Sequence, residues 1–217
     1  MYIGADLKRE LSEWCRLRRT TAAMSLFAAY VGLVLRWCDA PEAVFQYQIN
    51  GRSSPQIEET IGYFASILFL RVPLLEGDKF IDLVRRVTEE YCEAYEHADF
   101  SSITAQRPLP EFARNGRFNW IPLGSLDLDL SRLQGSADEL TCAPVRFTYP
   151  APSDFELDRE PFMLLADTQQ DIVADVYFPL DRFSSTSMQL FLENFRLFIE
   201  LMVRQPTLKV KTISLQR

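Results

Sequence analysis

The apolar stretch SILFLRVPL at residues 66–74 predicts a buried β-strand, because it consists almost entirely of aliphatic and aromatic side chains. Upstream, AVFQYQI at residues 43–49 alternates like a strand and ends at Asn50-Gly51, a pair typical of a tight turn. Downstream, residues 78–98 carry apolar side chains at helical spacing, which predicts a long amphipathic helix. The middle of the chain therefore predicts a sheet that is covered by at least one helix.

The flanking segments extend this pattern in both directions. We predict helices at residues 6–19, 22–38, 55–60 and 186–204, strands at 117–123, 144–149 and 208–215, and a hairpin of 162–167 with 171–178. Thr20 and Thr21 are suitable caps for the second helix, and Ser184 or Ser185 is a suitable cap for the last one. Helices interleaved with strands and hairpins indicate an α/β class (an α+β sandwich), a mixed β-sheet with helices packed on it.

The composition is that of one soluble globular domain. The chain has 217 residues, of which 47% are apolar and 24% are charged, so it can bury a sizeable core. Asp and Glu number 30 against 23 for Lys and Arg, a net charge of −7, and we therefore expect no nucleic acid partner. The most apolar stretch, residues 22–35, is shorter than the roughly 20 residues that span a bilayer. It also lacks a good signal-peptide cleavage site, so we interpret it as a core helix and expect no membrane partner.

Several kinds of catalytic site are excluded by the residue types present. His97 is the single histidine, so a zinc site with two or more histidines is impossible. The glycines form neither GxGxxG nor a phosphate-binding loop, and no GxSxG motif occurs. Asp127 and Asp129 lack a third nearby ligand and are interpreted as solvated, so no metal site is predicted. The cysteines form no CxxC pair, which is typical of reduced, mostly buried thiols in a cytoplasmic protein. They are Cys15, Cys38, Cys92 and Cys142.

The single histidine and a set of aromatic residues each have two interpretations. His97 lies at the C-terminal end of the long predicted helix, where a histidine bonded to backbone carbonyls or to Asp99 is the favoured interpretation and a catalytic role is the alternative. A set of aromatic side chains can line an apolar channel for an acyl or aminoacyl chain, although each one singly is more typical of a core residue. This set is Tyr63, Phe64, Phe69, Phe118 and Trp120.

The stretch IGYFASILFLR at residues 61–71 resembles a motif of nonribosomal peptide synthetase condensation domains. In that family Ile/Val-Gly-x-Phe-Val-Asn-Thr is followed, four residues on, by Arg, and the spacing here agrees through Arg71. Ser66 stands where the family has Asn. The preceding Asn50-Gly51-Arg52, with the acidic helix that begins after it, is also similar to the family.

Later segments follow in the order that the family has. EHADF at residues 96–100 is similar to His/Asn-Gln-Asp-Tyr-Pro-Phe-Glu, with Ser101-Ser102 in place of Pro-Phe. FNWIP at residues 118–122 resembles the strand Phe-Asn-Tyr-x-Pro, and VYF at 176–178 with DRF at 181–183 resembles Tyr-x-x-x-Leu-Phe. Because these segments cover essentially the whole chain, it is identified as a member of the condensation-domain family.

The resemblance implies a chloramphenicol-acetyltransferase-like fold, of which residues 1–217 form the C-terminal lobe. The family's His-His-x-x-x-Asp-Gly motif belongs to the N-terminal lobe and has no counterpart here, so no catalytic residue is implied on this chain. The resemblance implies instead one wall of an acyl or peptidyl tunnel and part of a docking surface for carrier domains. The implied tunnel and carrier-binding candidates are Tyr63, Phe64, Ser66, Arg71, His97, Asp99, Asn119 and Trp120.

Three functional hypotheses stay open at this point. The first makes the chain part of a synthetase, with peptidyl or acyl carrier domains and neighbouring synthetase domains as partners. It implies phosphopantetheine on the partner carrier domain and no cofactor bound directly to this chain. The second is a stand-alone module that recruits carrier domains or a trans-acting tailoring enzyme. The third is an α/β domain that shares only the fold.

Overall fold

The computed structural model describes residues 1–52, 55–58, 60–98, 116–122, 161–168 and 170–216. Six strands form one sheet in the order β1-β6-β5-β4-β2-β3. They are β1 (Tyr2–Ile3), β2 (Glu42–Ile49), β3 (Ser66–Pro73), β4 (Arg117–Ile121), β5 (Phe162–Asp167) and β6 (Ile172–Tyr177). The pairs β2–β4 and β4–β5 are parallel and the other neighbours are antiparallel, which confirms the predicted mixed sheet.

The helices are α1 (Ala5–Arg18), α2 (Ala22–Trp37), α3 (Pro55–Glu58), α4 (Phe80–Glu96) and α5 (Ser185–Arg204), followed by a 3₁₀ turn (Val210–Thr212). Their positions confirm the helices predicted from apolar spacing. Of the expected caps, Thr21 and Ser184 are confirmed, because their hydroxyls accept the backbone N–H of Met24 and Ser187, whereas the Thr20 hydroxyl caps nothing.

Helix α2 lies at the centre of the helical layer, where it contacts α1, α4 and α5. Every residue from Met24 to Leu35 is buried, which confirms the core helix expected for this apolar stretch. Gly32 permits the close approach, since a β-carbon there would lie 3.0 Å from the Leu83 side chain and 3.4 Å from that of Phe198. No single described helix is long and apolar enough to cross a membrane; α1 and α2 satisfy that criterion only as a pair bent by 103°.

Burial alternates along the strands because, within the part of the chain that the structure describes, the helices pack on one face of the sheet. In β3 the side chains of Leu68, Leu70 and Val72 are buried, whereas Phe69 is half-buried and Arg71 is exposed. This alternation is expected for a sheet with one face against the core. It assigns each strand residue to the helix-covered face or to the opposite face.

The predicted final strand at residues 208–215 is wrong. Lys209 forms only an isolated bridge with Lys79, and a 3₁₀ turn follows. Val210 and Ile213, three residues apart, are both buried, a spacing that fits a 3₁₀ turn rather than a strand. The Val210 N–H donates to the Asp78 carbonyl at 2.8 Å, so this segment is bonded to the turn before α4.

Two side chains form hydrogen bonds with the backbone of the C-terminal segment, residues 213–216. The fully buried Asn194 donates from Nδ2 to the Gln216 carbonyl at 3.0 Å, and its Oδ1 accepts the Gln216 N–H at 2.9 Å. Arg36 donates from Nη2 to the Ile213 carbonyl at 3.0 Å. Residues 213–216 are therefore held along α5 without being part of the sheet.

Some expectations fail or lie outside the described residues. Cys15 is buried, but Cys38 and Cys92 are exposed, so the expectation of mostly buried thiols is wrong for these two. Cys38 follows the last residue of α2, and Cys92 lies on α4 away from the apolar residues that this helix buries. The predicted strand at 144–149, together with Asp127, Asp129 and Cys142, lies outside the described residues.

Candidate functional site

One end of the sheet gathers several of the candidate residues. β2 ends there at Ile49, opposite Ser66 at the start of β3, and the parallel partner β4 ends at the same side. α4 returns across β3, so its C-terminus comes to this end as well, and the Tyr47 and Tyr91 ring centres lie 5.1 Å apart. We call this region, residues 50–52, 60–66, 95–98 and 120–122, the loop end of the sheet.

Arg52 bonds the backbone of the described residues between β2 and β3. Its guanidinium donates to the carbonyls of Ile57, Glu58 at 3.2 Å and Thr60 at 2.9 Å. The same group lies 4.6 Å from the centre of the Phe64 ring, which is a cation–π contact. Tyr63, which lies in the sequence between Thr60 and Phe64, is 84% exposed.

A prediction concerns Gly51, which begins this loop in a left-handed conformation with φ of 63°. A β-carbon here would lie 1.8 Å from the Phe64 carbonyl oxygen, a clash with backbone that no rotamer relieves. We expect Gly51→Ala to lower the free energy of unfolding by about 1–3 kcal/mol and to increase amide exchange at residues 60–64. Urea denaturation and hydrogen exchange measure the two effects.

Gly77→Ala is the matched control, because a β-carbon at Gly77 meets nothing within 4 Å. We expect a change of less than about 0.5 kcal/mol for that variant. Equal effects of the two substitutions would contradict the role given to Gly51.

An aromatic ladder runs from the core to the surface at the loop end. The ring centres of Phe118 and Tyr47 are 5.5 Å apart, those of Tyr47 and Tyr91 are 5.1 Å apart, and those of Tyr91 and Tyr95 are 5.8 Å apart. Burial raises the pKa of Tyr47, and the nearby Tyr91 raises it further. Burial likewise raises the pKa of Tyr91. Both phenols therefore stay neutral at physiological pH and offer no phenolate base.

Four of the eight sequence candidates lie on the loops and termini of this end. Tyr63 is exposed, and Phe64 lies against Arg52. Ser66 begins β3, and its buried Oγ has no hydrogen-bond partner among the residues that the structure describes. His97 ends α4, where its backbone N–H donates to the Ala94 carbonyl at 3.2 Å and its side chain is exposed.

Trp120, on strand β4, also belongs to the loop end, and the remaining candidates lie elsewhere. Asn119 and Trp120 are neighbours in β4 and therefore point to opposite faces; Trp120 packs on the core from the helix-covered face. Arg71 lies toward the far end of β3, where its exposed guanidinium pairs with Glu42, whose hydrogen bond raises the pKa of Arg71. Asp99 lies outside the described residues.

The five aromatic residues considered for an apolar channel are not brought together. Phe118 is fully buried, with its ring centre 5.0 Å from that of Phe27 in the core. Phe69 lies on the opposite face of the sheet, and Tyr63 projects into solvent. A channel lined by all five residues is therefore not formed by this chain.

A cross-strand row on the face away from the helices was not found from the sequence. Five strands contribute one residue each in register, and the row is Phe69, Gln46, Arg117, Phe162 and Tyr177. Arg117 donates from Nε to Gln46 Oε1 at 3.2 Å, and the rings of Phe162 and Tyr177 stack at 5.7 Å. Asn119, two residues after Arg117, lies on the same face. Strand registers are needed to recognise such a row, and the sequence does not provide them.

A six-stranded mixed sheet with helices packed on it is the fold that this chain shares with solved condensation domains. The family model for the condensation domain matches residues 1–217, and the chain belongs to that family.

The relatives of this chain include synthases and synthetases that are far longer than it is. A linear gramicidin synthase of Brevibacillus parabrevis is 25% identical over 219 residues, which cover 99% of this chain and 4% of that protein. Cyclosporin synthetase simA of Tolypocladium inflatum is 25% identical over 221 residues, which cover 98% of this chain and 1% of that protein.

Solved structures with the same fold include the first condensation domain of the CDA synthetase, at a TM-score of 0.76 and 16% identity. The match covers 100% of this chain and 47% of that domain, so this chain spans about half of it. The complex of the X-domain and OxyB from teicoplanin biosynthesis matches at a TM-score of 0.74 and 17% identity, over 99% of this chain and 47% of the other.

Proposed function

We propose that this chain is the C-terminal lobe of a nonribosomal peptide synthetase condensation domain, cytoplasmic and non-catalytic by itself. It supplies one wall of the acyl or peptidyl tunnel and part of the surface on which carrier domains dock. The family match over residues 1–217 and the coverage of 47% of a solved condensation domain support the assignment as one lobe. The sequence has a single histidine, so it holds no counterpart of the His-His-x-x-x-Asp-Gly motif.

The observation that supports the docking role is the exposure of two large apolar side chains at the loop end. Ile61 is 100% exposed and Tyr63 is 84% exposed, on a loop that Arg52 and Gly51 hold in place. Large apolar side chains presented on an ordered loop are typical of an interaction surface, and tyrosine is enriched among the residues that contribute most to binding. We therefore place the carrier contact at Tyr63.

Amide formation requires more than one lobe of the domain. Amide formation from a thioester requires the acyl carbonyl and the attacking amine to be held in line, and this positioning accounts for much of the rate. The thioester is carried on the phosphopantetheine arm of a partner carrier domain, so the cofactor belongs to the partner. At the loop end, the exposed His97 is available to line one side of the path of that arm. The opposite wall would come from the other lobe.

A binding titration tests the docking role. A fluorescently labelled holo carrier domain is titrated with the chain, and the Kd is read from anisotropy. We expect Tyr63→Ala to weaken binding about tenfold, the loss typical of truncating an aromatic anchor. Tyr2→Ala is the matched control, because Tyr2 is 66% exposed on β1, at the opposite edge of the sheet from β3. Equal affinities for the two variants, or no binding in any loading state, would exclude carrier docking at Tyr63.

A second measurement tests the absence of catalysis. The chain is incubated with donor and acceptor carriers loaded with their substrates, and the products are examined by intact mass spectrometry. We expect no amide product above the rate in buffer. Product formation by the chain alone would overturn the non-catalytic assignment.

The alternative is a stand-alone module that recruits a trans-acting tailoring enzyme. The structural match to an X-domain that is in complex with OxyB favours it as the second candidate. A chain that binds a tailoring enzyme of the same biosynthetic pathway, and binds no carrier domain in either loading state, would support this alternative over the first proposal.

A further inference from the structure

The three residues that follow Thr60 at the loop end are exposed. They are Ile61, Gly62 and Tyr63, and the first and last of them carry large apolar side chains. We call residues 61–63 the exposed segment. Within the part of the chain that the structure describes, no hydrogen bond involves its backbone. Its conformation therefore depends on the residues that flank it.

Arg52 contacts both flanks of the exposed segment. On one side its Nη1 donates to the Thr60 carbonyl at 2.9 Å, and on the other side its guanidinium lies 4.6 Å from the centre of the Phe64 ring. The same nitrogen also bonds the Ile57 and Glu58 carbonyls. These partners are neutral groups of the chain between β2 and β3, so the guanidinium bridges the two ends of the exposed segment.

The Phe64 ring connects Arg52 to the exposed segment itself. A β-carbon at Gly62 would lie 3.1 Å from Cε2 of Phe64, so the backbone of the segment lies against this ring. Glycine allows this close approach without displacing the ring. The contacts therefore run from the guanidinium to the ring and from the ring to the middle of the exposed segment.

We propose that Arg52 is a positioning residue for carrier docking, which holds the exposed segment in the conformation in which Tyr63 meets the carrier domain. The inference rests on the function proposed above and adds the residue that sets the affinity of that surface. A segment that is ordered before binding loses less conformational entropy when the partner binds. Arg52 acts through Tyr63 and makes no contact with the carrier itself, because its donors bond carbonyls of its own chain.

The test is a double-mutant cycle on the full chain, with the Kd of a labelled holo carrier domain read from fluorescence anisotropy. We expect Arg52→Ala to weaken binding about tenfold, the cost of ordering the backbone of about one residue on binding. In a chain that already carries Tyr63→Ala, the same change should cost less than about threefold, because the residue through which Arg52 acts is gone. Arg9→Ala is the matched control, because Arg9 is an exposed arginine on α1 that pairs with Asp6, and we expect it to leave the Kd unchanged.

Two further measurements separate positioning from a direct charge contact. In the free chain, the NMR order parameters of the backbone amides of the exposed segment should fall below about 0.6 in Arg52→Ala. The loss of carrier affinity should be equal at low and at high ionic strength, whereas a charge contact between Arg52 and the carrier would be screened by salt. Phe64→Leu, which keeps an apolar side chain but removes the ring, should change affinity and order parameters in the same direction as Arg52→Ala.

The outcomes distinguish this inference from the docking proposal. Weaker binding by Tyr63→Ala with unchanged binding by Arg52→Ala would overturn the positioning role and leave docking at Tyr63 intact. Losses that multiply in the double variant, a loss that disappears at high ionic strength, or unchanged order parameters would each overturn the positioning role as well. Unchanged binding by Tyr63→Ala would overturn the docking proposal itself, and the positioning role with it.

Discussion

Replacing Asp78 by alanine is expected to lower the free energy of unfolding by about 3–5 kcal/mol. Asp78 is 5% exposed, and its carboxylate accepts hydrogen bonds from Arg86 Nη2 at 2.9 Å and from the Leu75 N–H at 2.7 Å. Arg86, whose side chain is 20% exposed, also contacts the second carboxylate oxygen. Removal of the carboxylate leaves a mostly buried guanidinium without its counter-charge, and that uncompensated charge dominates the cost.

Urea denaturation of Asp78→Ala measures this loss, with Asp6→Ala as the control. Asp6 pairs with Arg9 at 2.7 Å, but the two side chains are 84% and 74% exposed, so the expected loss is less than about 1 kcal/mol. Restoring most of the stability by the additional change Arg86→Met would identify the unpaired charge as the cause. Similar losses for Asp78→Ala and Asp6→Ala would contradict the assignment.

Replacing Phe27 by alanine is expected to cost about 3–5 kcal/mol, the range for removing a large aromatic side chain from a core. Phe27 is fully buried in α2, and its ring centre lies 4.9 Å from that of Tyr47 and 5.0 Å from that of Phe118. These two contacts join the central helix to β2 and β4. The near-ultraviolet circular dichroism should therefore weaken along with the urea midpoint.

Leu17→Ala is the control for the core substitution, because Leu17 is 62% exposed on α1. A change of less than about 0.5 kcal/mol is expected there. A loss of less than about 1 kcal/mol for Phe27→Ala would show that the helical layer and the sheet do not depend on this aromatic contact.

The helices and most strands could be predicted from sequence because each has a local signal. In α4, Phe80, Leu83, Val84 and Val87 recur at helical spacing and are the residues that the helix buries. The hairpin of β5 and β6 was signalled by two apolar runs around a short polar turn, and the register confirms it. Thr21 and Ser184 mark helix starts through the same hydroxyl bond that caps them.

The elements that sequence reasoning missed depend on distant partners. β1 is two residues long, too short for any periodic signal, and it exists because β6 pairs with it. The segment after Leu208 alternates like a strand, yet the bond from the Val210 N–H to the Asp78 carbonyl draws it against the turn before α4.

Only the part of the candidate site that lies within one short stretch of sequence could be predicted. The motif at residues 61–71 pointed to three residues of the loop end, because Tyr63, Phe64 and Ser66 are close together in the sequence. The motif did not reveal that Arg71 lies toward the other end of β3, paired with Glu42. Nor could spacing reveal the row through Gln46 and Arg117, which only the strand registers bring together.

The side-chain amide of Asn194 bonds Gln216 through its backbone N–H and C=O. These hydrogen bonds do not depend on which side chain stands at position 216. The side chain at position 216 is therefore free to change while the backbone keeps its route along α5, whereas Ile213, which is buried, is not. Proline at position 216 is the exception, because it has no N–H to offer. For protein engineering, a tag or reporter joined after this segment would start from a constant point, whatever residues the linker contains.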